Sequence, residues 1–253
     1  MLTLLSCAKT MRSVDFQSKF PASKPLFEET AKHSASLLAT LSVEDLAEML
    51  GVNSKIATEN KLNYLNFSVE GLNILPAVLA YNGIAFKHLN PEDFTAEEAK
   101  FAQDHLFITS FLYGLLRPGD NIQPYRLEGK AVIPGNESNM FAFWKPKLTD
   151  VLIESVQKAG GILCNLASNE MKNLFDWKRV SKEVEIVTPE FKVAKNGKLV
   201  SSSVYAKMGR GEMTRFIIKN RLQSPDDLTA FTGLTNFAYD ASISTPENPI
   251  FIL

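Results

Sequence analysis

The sequence predicts an α+β fold: a single domain over 1–253, with a mixed sheet, surrounding helices and a helix-hairpin-helix element at about 42–66. Three observations predict it. Short continuous apolar runs, LTLLSCA at 2–8 and the stretch 162–167, have the length and composition of buried strands. Other segments, 26–41 and 139–158, place their apolar residues at helical spacing. No repeat, low-complexity tract or linker divides the chain. With 253 residues, 45% hydrophobic and 22% charged, it can bury one sizeable core, which excludes collagen, disorder and coiled coil.

The chain thus begins in the core, and the 2–8 run ends in small and polar residues. A polar loop at 12–25, with Pro21 and Pro25, precedes the helix over 26–41. Ser42 with Asp45 is a capping-box pattern for a helix through Leu46, Met49 and Leu50, which Gly51 ends. A second helix follows from Asn53 or Ser54 through Ile56, Ala57, Leu62 and Leu65. Residues 74–80 read as helical and 83–89 as a strand that stops before Pro91. Thr95 with Glu98 repeats the capping box for a helix to about His105. The apolar run 106–116 ends in the turn Arg117-Pro118-Gly119-Asp120, where Pro118 holds Arg117 extended. The helix over 139–158 is closed by Gly160-Gly161 before the strand 162–167. Asn196-Gly197 between 184–193 and 198–207 signals a hairpin, because both residues tolerate the left-handed backbone of a tight turn. A helix from about Glu212 to Leu222 comes next, and the tail PIFIL adds an edge strand.

The net charge of -1 excludes a generally basic nucleic-acid binder, but it averages over a strong segregation. Residues 172–221 carry 12 basic and 5 acidic groups, whereas 26–104 carry 5 and 12. One face could then bind a polyanion; the other reading is that solvated faces intermix their charges in space. No apolar run approaches the roughly 20 residues that span a bilayer, and MLTLLSCAKT lacks a basic leader, so a cytoplasmic protein without membrane contact is expected. Cys7 and Cys164 lie in apolar runs, which argues against a disulfide framework. His33, His88 and His105 are scattered, and no phosphate-loop, dinucleotide or HExxH pattern occurs, so neither metal nor cofactor is expected.

Five constellations could carry chemistry. In residues 46–65, Leu50, Gly51, Val52 and Ala57 stand as in a helix-hairpin-helix motif, whose backbone N–H groups meet a DNA phosphate. Asn53 occupies the place of a second glycine, and Lys55 and Lys61 are the local cations; an ordinary αα-hairpin is the other reading. Residues 205–222 set Lys207 and Arg210 in a Gly-rich approach, with Gly209 and Gly211, to a helix bearing Arg215 and Lys219 on one face. That is a phosphate cradle or a solvated helix face. Residues 112–128 concentrate Tyr113, Arg117, Asp120, Gln123, Tyr125, Arg126 and Glu128, either a shaped site or an internal Arg–Asp or Arg–Glu network. Lys9, directly after the first strand, is a phosphate anchor, an amine nucleophile or a surface lysine. Ser168, Asn169 and Glu170 in NLASNEM could be site walls.

Taken together, SCAKT, LYGLLRPGDNIQPYRLE, NLASNEM and YAKMGRGEMTRFIIKNRL, in this order, resemble the YaaA family of bacterial peroxide-stress proteins over nearly the whole chain. The match is close at Ser6, Ala8, Lys9 and Thr10, at Tyr113, Gly114, Arg117, Pro118 and Asp120, and at Pro124, Tyr125, Arg126, Leu127 and Glu128. Lys207, Arg210, Gly211, Arg215 and Phe216 also fit. Cys7 replaces a usual proline, Met171 a usual aromatic, and Asn82 a frequent lysine. The resemblance implies a cytosolic protein that limits free iron and the DNA damage it feeds during hydrogen peroxide stress. It also implies a single-domain α+β fold with a helix-hairpin-helix element and a basic cleft for duplex DNA, distorted duplex included.

On the binding reading, the partner is double-stranded DNA, intact, distorted or damaged. It is held by Gly51, Asn53 and Lys55 of the hairpin and by a cleft of Lys9, Arg117, Tyr125, Arg126, Lys207, Arg210 and Arg215. On the enzyme reading, a glycosylase or lyase-like activity on damaged bases uses Lys9 as amine or phosphate anchor and Asp120 or Glu128 as general acid/base. Direct iron binding has little support, since only distant residues such as Asp120, Glu128 and His105 could assemble.

Overall fold

The computed structural model describes all residues except 13–17, 68, 70 and 73, so part of the loop expected at 12–25 lies outside the described residues. In chain order it runs β1 (Leu2–Leu5), α1 (Glu28–Leu38), α2 (Val43–Leu50), α3 (Ser54–Leu65), β2 (Leu75–Pro76), α4 (Ala77–Ala80) and α5 (Ile84–Leu89). Then come α6 (Ala96–His105), β3 (Leu106–Ser110), β4 (Gly114–Leu116), β5 (Asn121–Ile122), α7 (Met140–Lys158) and β6 (Ile162–Leu166). The chain continues through α8 (Trp177–Glu183), β7 (Glu185–Val187), β8 (Glu190–Lys195), β9 (Lys198–Val200), α9 (Ser203–Asn220), β10 (Ala238–Tyr239) and β11 (Ile250–Ile252).

The expected mixed sheet with surrounding helices is found, as a five-stranded sheet of order β4-β3-β1-β6-β7. Four of its strands are parallel and β4 is an antiparallel edge. Every residue of β1 is buried, which is why the strand reads as a continuous apolar run rather than an alternation. Leu5 at its end aligns with Leu166, the last residue of β6, on one side and with Ile108 on the other, where β3 runs two residues further to Ser110. A second sheet has the order β10-β11-β8-β9, and β2 pairs with β5.

Local chemistry sets many boundaries. Ser42 accepts the Asp45 N–H at 3.0 Å, and Thr95 and Glu98 form the full reciprocal box. Gly51 at φ 61° ends α2, and Asn53 then caps α3 by accepting the Ile56 N–H at 3.0 Å. The segment is therefore a tight αα-hairpin, with Leu46, Leu50 and Ala57 buried beneath it.

Four expectations are corrected. Residues 83–89 form helix rather than strand: Phe86 and Leu89, one turn apart, are the buried pair, and α5 lies along α9. The helix expected from Glu212 begins at Ser203, so Gly209 and Gly211 lie inside it. They are there because α9 packs close: a Cβ at Gly209 would sit 2.2 Å from the Phe191 ring, and one at Gly211 2.1 Å from the Ala85 carbonyl oxygen. The hairpin turn at Asn196-Gly197 is present with φ of 52° and 72°, but β9 stops at Val200. The tail strand is internal, between β10 and β8.

Replacing Gly211 by Ala forces α9 and α5 apart and is expected to cost about 1–3 kcal/mol. Urea denaturation should show it as a lower midpoint at unchanged slope.

Candidate functional site

A cavity of about 340 Å³ opens where the parallel strands end. Leu5 to Thr10 follow β1, Phe111 follows β3, and Leu166, Ser168, Glu170 and Met171 follow β6. The chain leaves β1 toward β3 on one side and later places β6 on the other, so the strand order reverses at β1. In open sheets with parallel strands, ligands bind at such a reversal, beyond the carboxyl ends. The remaining walls are Gly83 to Phe86 of the first turn of α5, Tyr125 to Glu128, and Lys207 and Arg210 from α9.

Eight of the residues singled out in the sequence thus meet: Lys9, Tyr125, Arg126, Glu128, Ser168, Glu170, Lys207 and Arg210. Glu128 ties two of them, with Lys9 Nζ at 2.9 Å and Arg126 Nη2 at 3.4 Å. Arg126 Nε is buried and has no partner among the described residues. Lys207 and Arg210 have no carboxylate partner among the described residues. Burial lowers the Arg210 pKa from its ordinary value, the signature of a cation held partly out of water without a counter-charge.

Tyr125 faces inward rather than outward. Its hydroxyl shares hydrogen bonds with Ser110 Oγ at 2.6 Å and the Tyr81 hydroxyl at 2.7 Å. Burial holds both tyrosines well above the usual range, so they stay protonated and rigidify the wall. On the opposite lip, Ser6 Oγ accepts the Ser168 N–H at 2.8 Å, joining the strand ends of β1 and β6.

The other candidates lie outside the cavity lining. Asp120 is 1% exposed and accepts from Ser23 Oγ at 2.6 Å, from the Arg117 backbone N–H at 2.8 Å, and from the Arg117 side chain. That is the internal Arg–Asp network, and it pins the turn. Arg215 grips Asp93 through two bonds of 2.6 Å. Gly51, Asn53 and Lys55 sit exposed on the αα-hairpin, and Lys61 is turned to the Ala39 and Leu41 carbonyls. His105 bonds the Met1 carbonyl, at the end of β1 remote from Glu128.

The α5 wall was invisible in a sequence read as strand there. The signal that could have found the cavity is the placement of both SCAKT and NLASNEM directly after buried strands. Cys7, in the first of them, lines the cavity, and burial pushes its thiol up to about 12; the Thr109 side chain partly offsets this and the Glu128 charge adds to it.

A mostly parallel sheet with helices around it and a cation-lined crevice at its strand ends defines an α/β protein. The chain belongs to the YaaA family: the profile of "Peroxide stress protein YaaA" matches residues 1–243. It is 53% identical to a UPF0246 protein of Bacteroides thetaiotaomicron over all of this chain and 98% of that one. A UPF0246 protein of Porphyromonas gingivalis is 42% identical over the full length of both, and one of Shewanella amazonensis is 36% identical over 100% and 98%.

Two outcomes follow from these environments. At pH 7.5 the native protein should release almost no chromophore from 5,5′-dithiobis(2-nitrobenzoate) within minutes, because burial also pushes Cys164 up to about 12; in urea both cysteines should titrate. The Arg215 hydrogen bonds hold the Asp93 carboxyl below its ordinary value, although its partial burial works the other way. A lowered carboxyl gives stability that is complete above the unfolded pKa of about 4 and is lost as pH falls through the folded one. Asp93→Asn should therefore be less stable than wild type at pH 6, with the difference in urea midpoint closing below about pH 4.

Proposed function

We propose that this chain is a DNA-binding protein of the peroxide response, engaging intact or distorted duplex through the cation-lined crevice. The physiological role that fits is protection of DNA against iron-dependent oxidative damage in the cytoplasm. The observation that carries the reading is the pair Lys207 and Arg210, unpaired among the described residues and set beside Lys9 and Arg126. These four cations converge on one concave wall, which gives a polyanion a defined approach. The αα-hairpin supplies a second phosphate contact on this reading, through the exposed start of α3 and Lys55.

A single observation favours an enzyme acting on damaged bases. Glu128 contacts the Lys9 amine at the cavity rim, whereas Asp120 is engaged by Arg117 and Ser23. On that reading Glu128 is the acid/base and Lys9 the amine or phosphate anchor.

Fluorescence anisotropy with a labelled duplex tests the binding reading. Affinity should fall with salt, log K against log salt having a slope of about -3 to -4 for four phosphate contacts. Arg210→Gln should reduce the magnitude of that slope by about 1, and so should Lys55→Gln if the hairpin takes part. No binding at 50 mM salt, or binding indifferent to Arg210→Gln and Lys207→Gln, would overturn it. Release of a damaged base on a denaturing gel, abolished in Lys9→Ala, would establish the enzyme.

A further inference from the structure

The cavity is too small for the ligand that the proposed function assigns to the surface around it. Its volume of about 340 Å³ lies at the lower end of small-molecule sites. A duplex, whose major groove alone is about 12 Å wide, cannot enter. The walls also have two characters. Leu5, Phe86, Phe111, Leu166 and Met171 give an apolar side with two aromatic rings, and Lys207 and Arg210 give cations from one helix. A ligand matching both has a flat body with apolar faces and a single anionic group.

Building on the DNA-binding reading, we propose that the cavity receives one nucleotide unit, its base against the Phe86, Phe111 and Met171 wall and its phosphate on Lys207 and Arg210. Ser6, Thr10, Ser168, Glu128 and Glu170 are wall groups within the cavity that can meet polar edges of the base or sugar, the two carboxylates as acceptors. The partnerless Arg126 Nε is a buried donor that an incoming acceptor would satisfy, removing the penalty of leaving it unmade. The unit has two sources that share a base, a sugar and an anionic phosphate: a nucleotide extruded from a duplex, or a free nucleoside monophosphate. Extrusion is cheapest where base pairing is already broken. A protein that houses an extruded nucleotide therefore prefers a mismatched duplex over a perfect one.

The test uses the full chain. Anisotropy compares a perfect duplex with the same duplex bearing one mismatch, and calorimetry compares deoxyadenosine monophosphate with deoxyadenosine. The mismatched duplex should bind about tenfold more tightly, and the monophosphate about tenfold more tightly than the nucleoside. Arg210→Gln should remove the second difference. Met171→Trp fills the cavity and should bring the mismatched-to-perfect ratio to about one; Met171→Phe is the milder substitute should a thermal melt show that the tryptophan variant does not fold. A mismatch preference that survives in a folded filling variant overturns the cavity proposal while duplex binding stands. Absence of both the mismatch preference and monophosphate binding also overturns it, and duplex binding then judges the DNA reading alone. Monophosphate binding that is lost in Arg210→Gln, with no duplex bound at any salt, supports the nucleotide unit as a free ligand and removes the DNA reading.

Discussion

The close approach of α9 to β8 and α5 is the constraint on which the site depends. Two glycines two residues apart let the helix backbone come within contact distance of the Phe191 ring and the Ala85 carbonyl. Glycine inside a helix costs roughly 0.5–1 kcal/mol each relative to alanine, so the arrangement needs compensation. Compensation comes from the core that this approach closes, where Phe191 stacks with Phe251 and meets Phe231 and Phe237 edge-on. With the helix held there, Lys207 and Arg210 are delivered to the strand ends of the main sheet, and Gly83 to Phe86 form the wall between them.

Electrostatic pairing then selects which cations remain available. The same helix carries Arg215 and Lys219, but these are consumed by Asp93 and Glu98, on the segments preceding β3. Arg117 is consumed by Asp120, and Lys9 and Arg126 share Glu128. The Glu98 carboxyl illustrates the balance: burial works to raise it, yet the Thr95 N–H and Lys219 together hold it below its ordinary value. A chain of net charge -1 can thus carry a crevice in which cations outnumber carboxylates, because charge balance over the whole molecule says little about one concave surface.

Much of the architecture was legible wherever a local interaction fixes it. Ser42, Thr95 and Asn139 cap helices through their own side chains, and Gly51 ends one by adopting a positive φ. The buried first strand was legible from its unbroken apolar run. What escaped is what depends on partners distant in sequence. Residues 83–89 carry apolar groups that fit either periodicity over so short a stretch, and only packing on α9 decides for helix. Gly209 and Gly211 read as an approach to a helix because their reason for being inside one lies in Phe191 and Ala85. The site was half legible for the same cause. Segments rich in polar groups after strands could be recognised, but whether Arg117 faced a ligand or Asp120 was a matter of three-dimensional placement.

The αα-hairpin and the crevice are physically joined. The Tyr64 hydroxyl, near the end of α3, donates to the Arg126 carbonyl, so a wall of the cavity hangs on the second helix of the hairpin. At about 1.5 Å per residue, that helix carries the chain about 16 Å back to Asn53 at the turn. Along a duplex rising about 3.4 Å per base pair, this corresponds to about five base pairs, less than half a turn. A duplex touching both would therefore meet them within one span of its backbone. The hairpin alone is a weak anion site, since Glu44, Asp45 and Glu48 line its first helix and the Asn53 side chain already occupies the Ile56 N–H. Affinity on the proposed reading must then come from the crevice cations, and the hairpin acts as a rigid arm that sets where the backbone lies relative to them.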